Sequence, residues 1–434
     1  MMNHAESGNP ALRRHKQEWQ MNKKTLQDVE LSGKRVVMRV DFNVPLKNGV
    51  ISDDTRIQAA LPSIRHILGQ GARLVLMSHL GRPKGKGYEA EFSLKPVAEH
   101  LAKVLGQPVA FAADCLAADA EVAALQPGQV LLLENTRFYK EEEAKVKKTD
   151  DISEEDYKAQ KAALKEKQKA MAKKLASYGD VFVNDAFGAA HRAHASTAVI
   201  CKYIPVSVSG FLLEKEIRYL GNAVNHPERP FVAILGGAKV SDKLAVVNNL
   251  LDKVDTLIIG GGMAYTFLKA QGHDVGQSLC ELDQLDYARD MLAKAKANGK
   301  KLLLPVDNVA ADKFAADAAT QVVGNDIPAG WMALDIGPKT IAAYAAAIQG
   351  AKTVVWNGPM GCFEMAPFAA GTFGVCEAVA ASGATSIIGG GDSVSAVNKS
   401  GLAAKMTHIS TGGGASLEYL EGKELPGVAA LSDK

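Results

Sequence analysis

Short apolar runs rich in Val, Ile and Leu recur along the chain, each followed by Gly or polar residues and then by a stretch of helical period. The runs are Val36–Val40, Arg73–Met77, Val130–Leu133, Val181–Val183, Phe231–Leu235, Thr256–Ile259, Leu302–Leu304, Thr353–Trp356 and Thr385–Ile388. Continuous runs, as opposed to strict alternation, mark strands covered on both faces. Strands alternating with helices imply βαβ units and mostly parallel sheets. There are too many runs for one comfortable sheet, so the pattern predicts an α/β protein with two domains. Leu213, Ile217, Leu220 and Val224 then recur at helical spacing until Pro227 and Pro230 stop the pattern, which predicts a connector helix between the two sheets. An ordinary amphipathic helix within one domain is the plainer alternative.

One segment departs from this rhythm. From Lys140 to Lys174 the chain is dense in Lys and Glu. Ser153 followed by Asp156 resembles a capping box, and Tyr157, Leu164, Met171 and Leu175 form a narrow apolar stripe. The pattern predicts one long, mostly solvated helix over about 154–177, ended by Gly179. With so narrow a stripe, replacing Val146 to Gln168 by a short Gly/Ser link is expected to leave activity within a few-fold.

Composition narrows the class. The chain has 434 residues, 47% hydrophobic and 23% charged, which suits a globular protein with a large core. Lys plus Arg is 50 and Asp plus Glu is 48, a balance that argues against a general nucleic-acid or membrane-surface binder. The five cysteines (Cys115, Cys201, Cys280, Cys362 and Cys376) are odd in number and form no C-x-x-C pair, which fits a reducing, cytoplasmic setting. Residues 1–20 are polar, lack the apolar core of a secretion signal, and are expected to be a disordered extension.

The two halves carry different chemistry. In the first half, cations and polar residues follow the apolar runs: Asp41-Phe42-Asn43 with Arg56 further on, His79-Leu80-Gly81-Arg82, Glu134 to Arg137, and Asn184 to Gly188 with His191 and Arg192 beyond. Ligands of open parallel sheets bind outside the carboxyl ends of the strands. Several arginines there suit one small, strongly anionic molecule, because the guanidinium fork pairs with phosphate or carboxylate. His191 and His194, three apart, have the spacing of metal ligands, though no further ligand motif is near. The second half reads as a phosphate cradle. Gly236-Gly237-Ala238-Lys239 leads to Lys243, placing two lysines four apart at an expected helix start. Triple glycines follow at Gly260 to Gly262, Gly389 to Gly391 and Gly412 to Gly414. Asp392, with Ser393 after it, reads as an N-cap, a magnesium ligand, or both, the cap being the simpler.

The chain lacks G-x-x-x-x-G-K-[ST], G-x-G-x-x-G, the protein-kinase set, H-E-x-x-H and G-x-S-x-G. The residues therefore favour a two-domain phosphotransferase acting on a small phosphorylated acid. An NAD-dependent dehydrogenase and a non-catalytic nucleotide-binding protein are the competing readings.

Arg39 to Pro45, Ser78 to Pro83, Val183 to Gly188, Leu235 to Lys239, Val355 to Pro359 and Ile388 to Asp392 together resemble phosphoglycerate kinase, in order from about Lys34 to Pro426. The resemblance implies a monomeric, cytosolic glycolytic enzyme that interconverts 1,3-bisphosphoglycerate plus ADP with 3-phosphoglycerate plus ATP, using Mg2+. It implies two Rossmann-like domains joined by a hinge helix: residues 21–208, with 420–434 folding back onto them, and residues 209–419 including the connector. By the same resemblance Asp41, Phe42, Asn43, Arg56, His79, Leu80, Gly81, Arg82, Arg137 and Arg192 bind the glycerate, with Gly412, Gly413 and Gly414 near its carboxyl. Gly237, Ala238, Lys239, Lys243, Gly261, Asn357, Glu364, Gly389, Gly390, Gly391, Asp392 and Ser393 bind the nucleotide, Glu364 at the ribose and Asp392 at the metal. Arg56, Lys239, Gly390 and Gly391 act on the transferring phosphoryl group. The acyl phosphate chemistry needs no general base.

Overall fold

The computed structural model describes residues 22–434, so the extension expected over residues 1–20 lies outside the described residues. The described chain packs as two compact units: one runs up to Arg218 and takes in Glu424–Lys434, the other is Tyr219–Lys423. The connector is a helix over Phe211–Asn225, and the division falls inside it.

The first unit holds β1 (Arg35–Arg39), β2 (Leu46–Lys47), β3 (Val50–Ile51), β4 (Arg73–Met77), β5 (Val109–Ala112), β6 (Val130–Leu133), β7 (Val181–Asn184) and β8 (Val206–Ser209). Six of these form one sheet in the order β5-β6-β4-β1-β7-β8, with every neighbouring pair parallel. The chain leaves β1 toward β4 and later returns to β7 on its other side. The order therefore reverses at β1/β7, where a ligand crevice is expected. The helix Thr55–Gly69 buries Ile57, Ala60, Leu61, Ile64 and Ile67, a helical stripe that joins the sheet residues in one core. The C-terminal tail belongs to this unit. Lys24 N–H donates to Ser432 O at 2.8 Å, and Asn184 Nδ2 donates to Gly427 O at 2.9 Å.

The second unit holds β9 (Phe231–Leu235), β10 (Thr256–Ile259), β11 (Lys301–Leu303), β12 (Asn308–Ala311), β13 (Thr320–Val323), β14 (Met332–Ile336), β15 (Thr353–Asn357), β16 (Thr385–Gly389) and β17 (His408–Ile409). Its main sheet runs β11-β10-β9-β15-β16-β17, all parallel, which is the doubly wound Rossmann order with its switch point at β9/β15. A three-stranded antiparallel sheet, β13-β12-β14, is inserted after β11.

All nine expected runs are strands, with no end shifted by more than one residue. Of the strands that the pattern missed, β8 and β17 lie at sheet edges and β12 to β14 are antiparallel, and polar positions interrupt or shorten their apolar runs; β5, Val-Ala-Phe-Ala, is an edge strand that is nevertheless wholly apolar. The charged helix spans Glu154–Ala176, and Ser153 accepts the Asp156 N–H at 3.0 Å, as its cap pattern predicts. The helix is mostly solvated, as expected, but its second half also carries a buried face. Leu164, Gln168, Met171, Ala172, Leu175 and Ala176 are buried, so the expectation that Val146 to Gln168 is dispensable loses its basis.

Candidate active site

In the first unit, the loops after β1, β4, β6 and β7 meet in one hydrogen-bonded network. Arg56, in the first turn of Thr55–Gly69, places Nη1 3.2 Å from both carboxylate oxygens of Asp41 and 3.1 Å from Asn43 O. Asn43 Oδ1 accepts the Gly81 N–H at 2.8 Å, and Arg137 Nη1 donates to Gly81 O at 3.0 Å. Arg137 Nε lies 3.0 Å from Glu143, whose carboxylate is 3.9 Å from Arg192 Nη1. Gly81 adopts φ +63°, and a Cβ there would come within 2.3 Å of the Phe92 ring, so only glycine fits. Phe42 N–H donates to Ser78 Oγ at 2.9 Å, and Leu80 O accepts from Asn135 Nδ2 at 2.8 Å, so both expected residues contribute through backbone and packing. Arg82 follows Gly81 and is exposed.

Below this network lies a layer that the sequence reading did not assign. Arg39, the last residue of β1, is fully buried. Its Nε donates to Ser196 Oγ at 2.8 Å, its Nη1 to Val40 O, and its Nη2 lies 3.1 Å from His79 Nδ1. Glu142, also fully buried, accepts from Ser196 N at 3.0 Å and from Thr136 Oγ1 at 3.2 Å, with Arg39 4.0 Å away. A charged residue closing an apolar strand was the available signal for Arg39. Glu142 sits among so many other charges that nothing marked it. Burial, then the Arg39 guanidinium, holds His79 well below its usual range. Burial, then Arg192, pulls His191 down to about 4. Burial lowers His194 to about 3, against the opposing pull of Glu143. All three rings are neutral near pH 7. The positive field therefore comes from Arg39, Arg56, Arg82, Arg137 and Arg192, set against Asp41, Glu142 and Glu143.

In the second unit, glycine backbones close on one another at the β9/β15 switch point. Gly236 N–H donates to Asn357 O at 3.0 Å, and Gly237 N–H to Pro359 O at 3.1 Å. A Cβ on Gly358 would lie 2.2 Å from Gly236 O, and one on Gly261 2.7 Å from Gly237 N. The helix after this turn is Leu244–Leu251, and it starts later than expected. Lys239 and Lys243 therefore lie in the turn before it and do not share a helical face. A tight turn and a distant carboxylate hold this segment: Lys243 N–H closes onto Val240 O at 2.8 Å, while Ser241 is held by Glu281 through N–H at 3.0 Å and Oγ at 2.6 Å. Lys239 and Ala238 are exposed. Lys243 is largely buried, its ammonium donates to Asn357 Oδ1, and burial lowers its pKa. Asn357 Nδ2 is buried without a hydrogen-bond partner among the described residues.

Two further glycine turns converge. Gly389 to Gly391 opens the helix Gly391–Lys399, and Gly412 to Gly414 opens Gly413–Leu420. A Cβ on Gly413 would lie 3.5 Å from Gly391 N, so two helix N-termini face one small region, a favourable place for an anion. Asp392 is not the cap that local sequence favoured. Gly390, at φ +88°, is the N-cap, and Asp392 lies exposed inside the first turn with no capping bond. Ser393 is buried, and its Oγ accepts the Gly358 N–H at 2.6 Å, joining this helix to the β15 turn. Glu364 is exposed in the turn beyond β15. The arginine cluster and the glycine turns thus belong to different units. Among the described residues no three His, Cys, Asp or Glu side chains gather as a metal site, and no helix is long and apolar enough to cross a membrane.

A family model described as phosphoglycerate kinase matches residues 26–423. The chain belongs to the phosphoglycerate kinase family. A phosphoglycerate kinase of Moorella thermoacetica is 58% identical over 417 residues, covering 95% of this chain and all of that relative. One of Clostridium novyi is 56% identical over 420 residues, with the same coverage. A solved phosphoglycerate kinase structure from Coxiella burnetii superposes with a TM-score of 0.84 at 44% identity, covering 94% of this chain and 98% of that one. Another from Pyrococcus horikoshii OT3 gives 0.76 at 33% identity, with the same coverage. Membership makes the chain a transferase that moves a phosphoryl group reversibly between 1,3-bisphosphoglycerate and ADP.

Proposed function

We propose that the arginine network of the first unit binds 3-phosphoglycerate or 1,3-bisphosphoglycerate, and that the glycine turns of the second unit hold ADP or ATP. The observation that carries this reading is the continuous link from Arg56 through Asp41, Asn43, Gly81, Arg137 and Glu143 to Arg192. Four loops are pre-set there around an anion. Asp41 and Asn43 orient the hydroxyl and carboxyl end of the glycerate. Arg82, Arg137 and Arg192 neutralise its phosphate. Arg56 exchanges its contact with Asp41 for the transferring group. Lys239 and Lys243 meet nucleotide phosphates, Glu364 meets the ribose, and the Gly390 and Gly391 N–H groups face the phosphoryl group in flight.

The reacting groups are a phosphate oxygen of ADP and a carboxylate leaving group, so no proton moves and no general base is required. Catalysis then rests on alignment and on neutralising the equatorial oxygens. Asp392, exposed and free of a capping bond, fits a Mg2+ ion held by one carboxylate and by nucleotide phosphates. When bound, that ion would offset phosphate charge. The reading includes a monomer in the cytoplasm, where five free thiols are at home, and a hinge over residues 205–230 that brings two half-sites together.

Titration calorimetry of two variants tests the division of labour. Arg192→Ala is expected to weaken 3-phosphoglycerate binding by roughly 10-fold or more and leave magnesium ADP unaffected, whereas Lys243→Ala does the reverse. Each loses a charge-assisted bond of about 1.5–3 kcal/mol. Equal losses for both ligands in either variant would overturn the assignment.

A further inference from the structure

The charged helix Glu154–Ala176 has no part in the chemistry above, yet one polar side chain on it is buried. Gln168 is 6% exposed. Both hydrogens of its amide are used. Nε2 donates to Glu142 O at 3.1 Å and to Ala193 O at 3.1 Å. These two carbonyls belong to different arginine-bearing segments. Glu142 follows Arg137 and precedes Glu143. Ala193 lies between Arg192 and His194. The same two segments meet again where Ala195 N–H donates to Glu142 O at 2.9 Å and Ser196 N–H to the Glu142 carboxylate at 3.0 Å.

We propose that Gln168 is a positioning residue for glycerate binding: its amide staples the Arg137 and Arg192 segments together and so sets the distance between their guanidinium groups. The physical case is one of satisfaction and geometry. Removing the amide breaks both links at once: Glu142 O keeps the Ala195 N–H and Ala193 O can turn to water, so the segment that carries Arg192 loses its side-chain tie to the helix and is free to shift. Arg192 is roughly half exposed and is held sideways mainly by Glu143 at 3.9 Å and by His191 at 3.0 Å, so its own side-chain contacts do not fix its segment. A bidentate anion contact needs placement within about 0.5 Å, and a small shift of one segment is felt as lost affinity. The helix around Gln168 supplies the rigidity. Leu164, Met171, Ala172 and Leu175 bury its inner face on either side of the amide.

This inference rests on the assignment of Arg137 and Arg192 to the glycerate. The test is steady-state kinetics in both substrates together with thermal melting. Gln168→Met keeps the volume and removes both donors. It is expected to raise KM for 3-phosphoglycerate about 5- to 20-fold while KM for magnesium ATP stays within 2-fold. Gln168→Glu keeps the shape, sets a carboxylate against two carbonyls, and serves if the Met variant melts below assay temperature; the same split is expected. Arg192→Ala is run alongside. If its KM for 3-phosphoglycerate rises and that of the Gln168 variants does not, the staple is overturned and the site assignment stands. If none of the three changes, the site assignment itself falls. Equal rises in both KM values for the Gln168 variants would mark a general folding defect and overturn the staple.

Discussion

At the scale of single residues, burial decides more than charge. Asp185 follows β7 and is fully buried, with Oδ1 accepting the Leu213 N–H at 3.0 Å and Oδ2 without a hydrogen-bond partner among the described residues. Burial, opposed by hydrogen bonds from Ser63 and the Leu213 backbone, pushes its carboxyl up to about 7. In the unfolded chain an aspartate titrates near 3.9, so between about pH 4 and 7 the native state holds a proton that the unfolded state has lost. The contribution of this group to stability is therefore fully present below about pH 4 and is lost as pH rises toward 7. Asp185→Asn removes that titration. Its melting temperature relative to wild type is expected to improve from pH 5 to about pH 7 and to level off above it. A constant difference across that series would show that Asp185 ionises normally. The neutral histidines contribute the opposite slope: His191 and His194, lowered to about 4 and about 3, cost stability as pH falls below about 6.5. They are present in both proteins and cancel in the comparison.

At the scale of elements, the helix Glu154–Ala176 shows how a charged pattern can mislead. Its outer lysines, Lys158, Lys161 and Lys165, are exposed, whereas Leu164 and Gln168 are buried. Replacing Val146 to Gln168 by a Gly/Ser link removes both buried residues and the Ser153 cap. Loss of a buried leucine alone costs about 2–5 kcal/mol. Each kcal/mol shifts the melting temperature by roughly 2–4 °C in a domain of this size. The link variant is expected to melt at least several degrees lower, while changing Lys158, Lys161 and Lys165 together to Ala shifts the midpoint by no more than about 2 °C. Differential scanning calorimetry distinguishes the two. Equal, small shifts would return the helix to the surface role that its composition suggests.

At the scale of the whole molecule, the arginine network and the glycine turns lie in separately packed units, and the proposed assignment puts one substrate at each. In-line transfer requires reacting atoms about 3–3.5 Å apart, and water must be excluded, or the acyl phosphate would hydrolyse. A permanently closed site would also block entry. Binding energy from both ligands is therefore expected to favour a closed state reached by hinge motion over residues 205–230. Solution scattering should give a smaller radius of gyration with 3-phosphoglycerate and a magnesium nucleotide together than with neither. An unchanged radius at saturation would remove the hinge and leave the transferase activity untouched.

Local sequence alone determined the strands buried on both faces, the mostly parallel α/β class, the helix cap at Ser153, and the loops that bear cations or glycines. Each depends on neighbours within a few positions, which is the range over which periodicity and turn chemistry act. The edge strand β8 and the antiparallel β12 to β14 escaped, because polar residues interrupt their apolar runs. Only the tertiary structure decided that Arg39 and Glu142 lie beneath the arginine network, that Gly390 and not Asp392 caps its helix, and that Lys239 and Lys243 precede a helix instead of sharing one. Partners distant in sequence enter these outcomes, such as Ser196 for Arg39, Asn357 for Lys243 and Glu281 for the turn before Leu244. The desolvation that shifts His79 and Asp185 does not exist until those partners have excluded water.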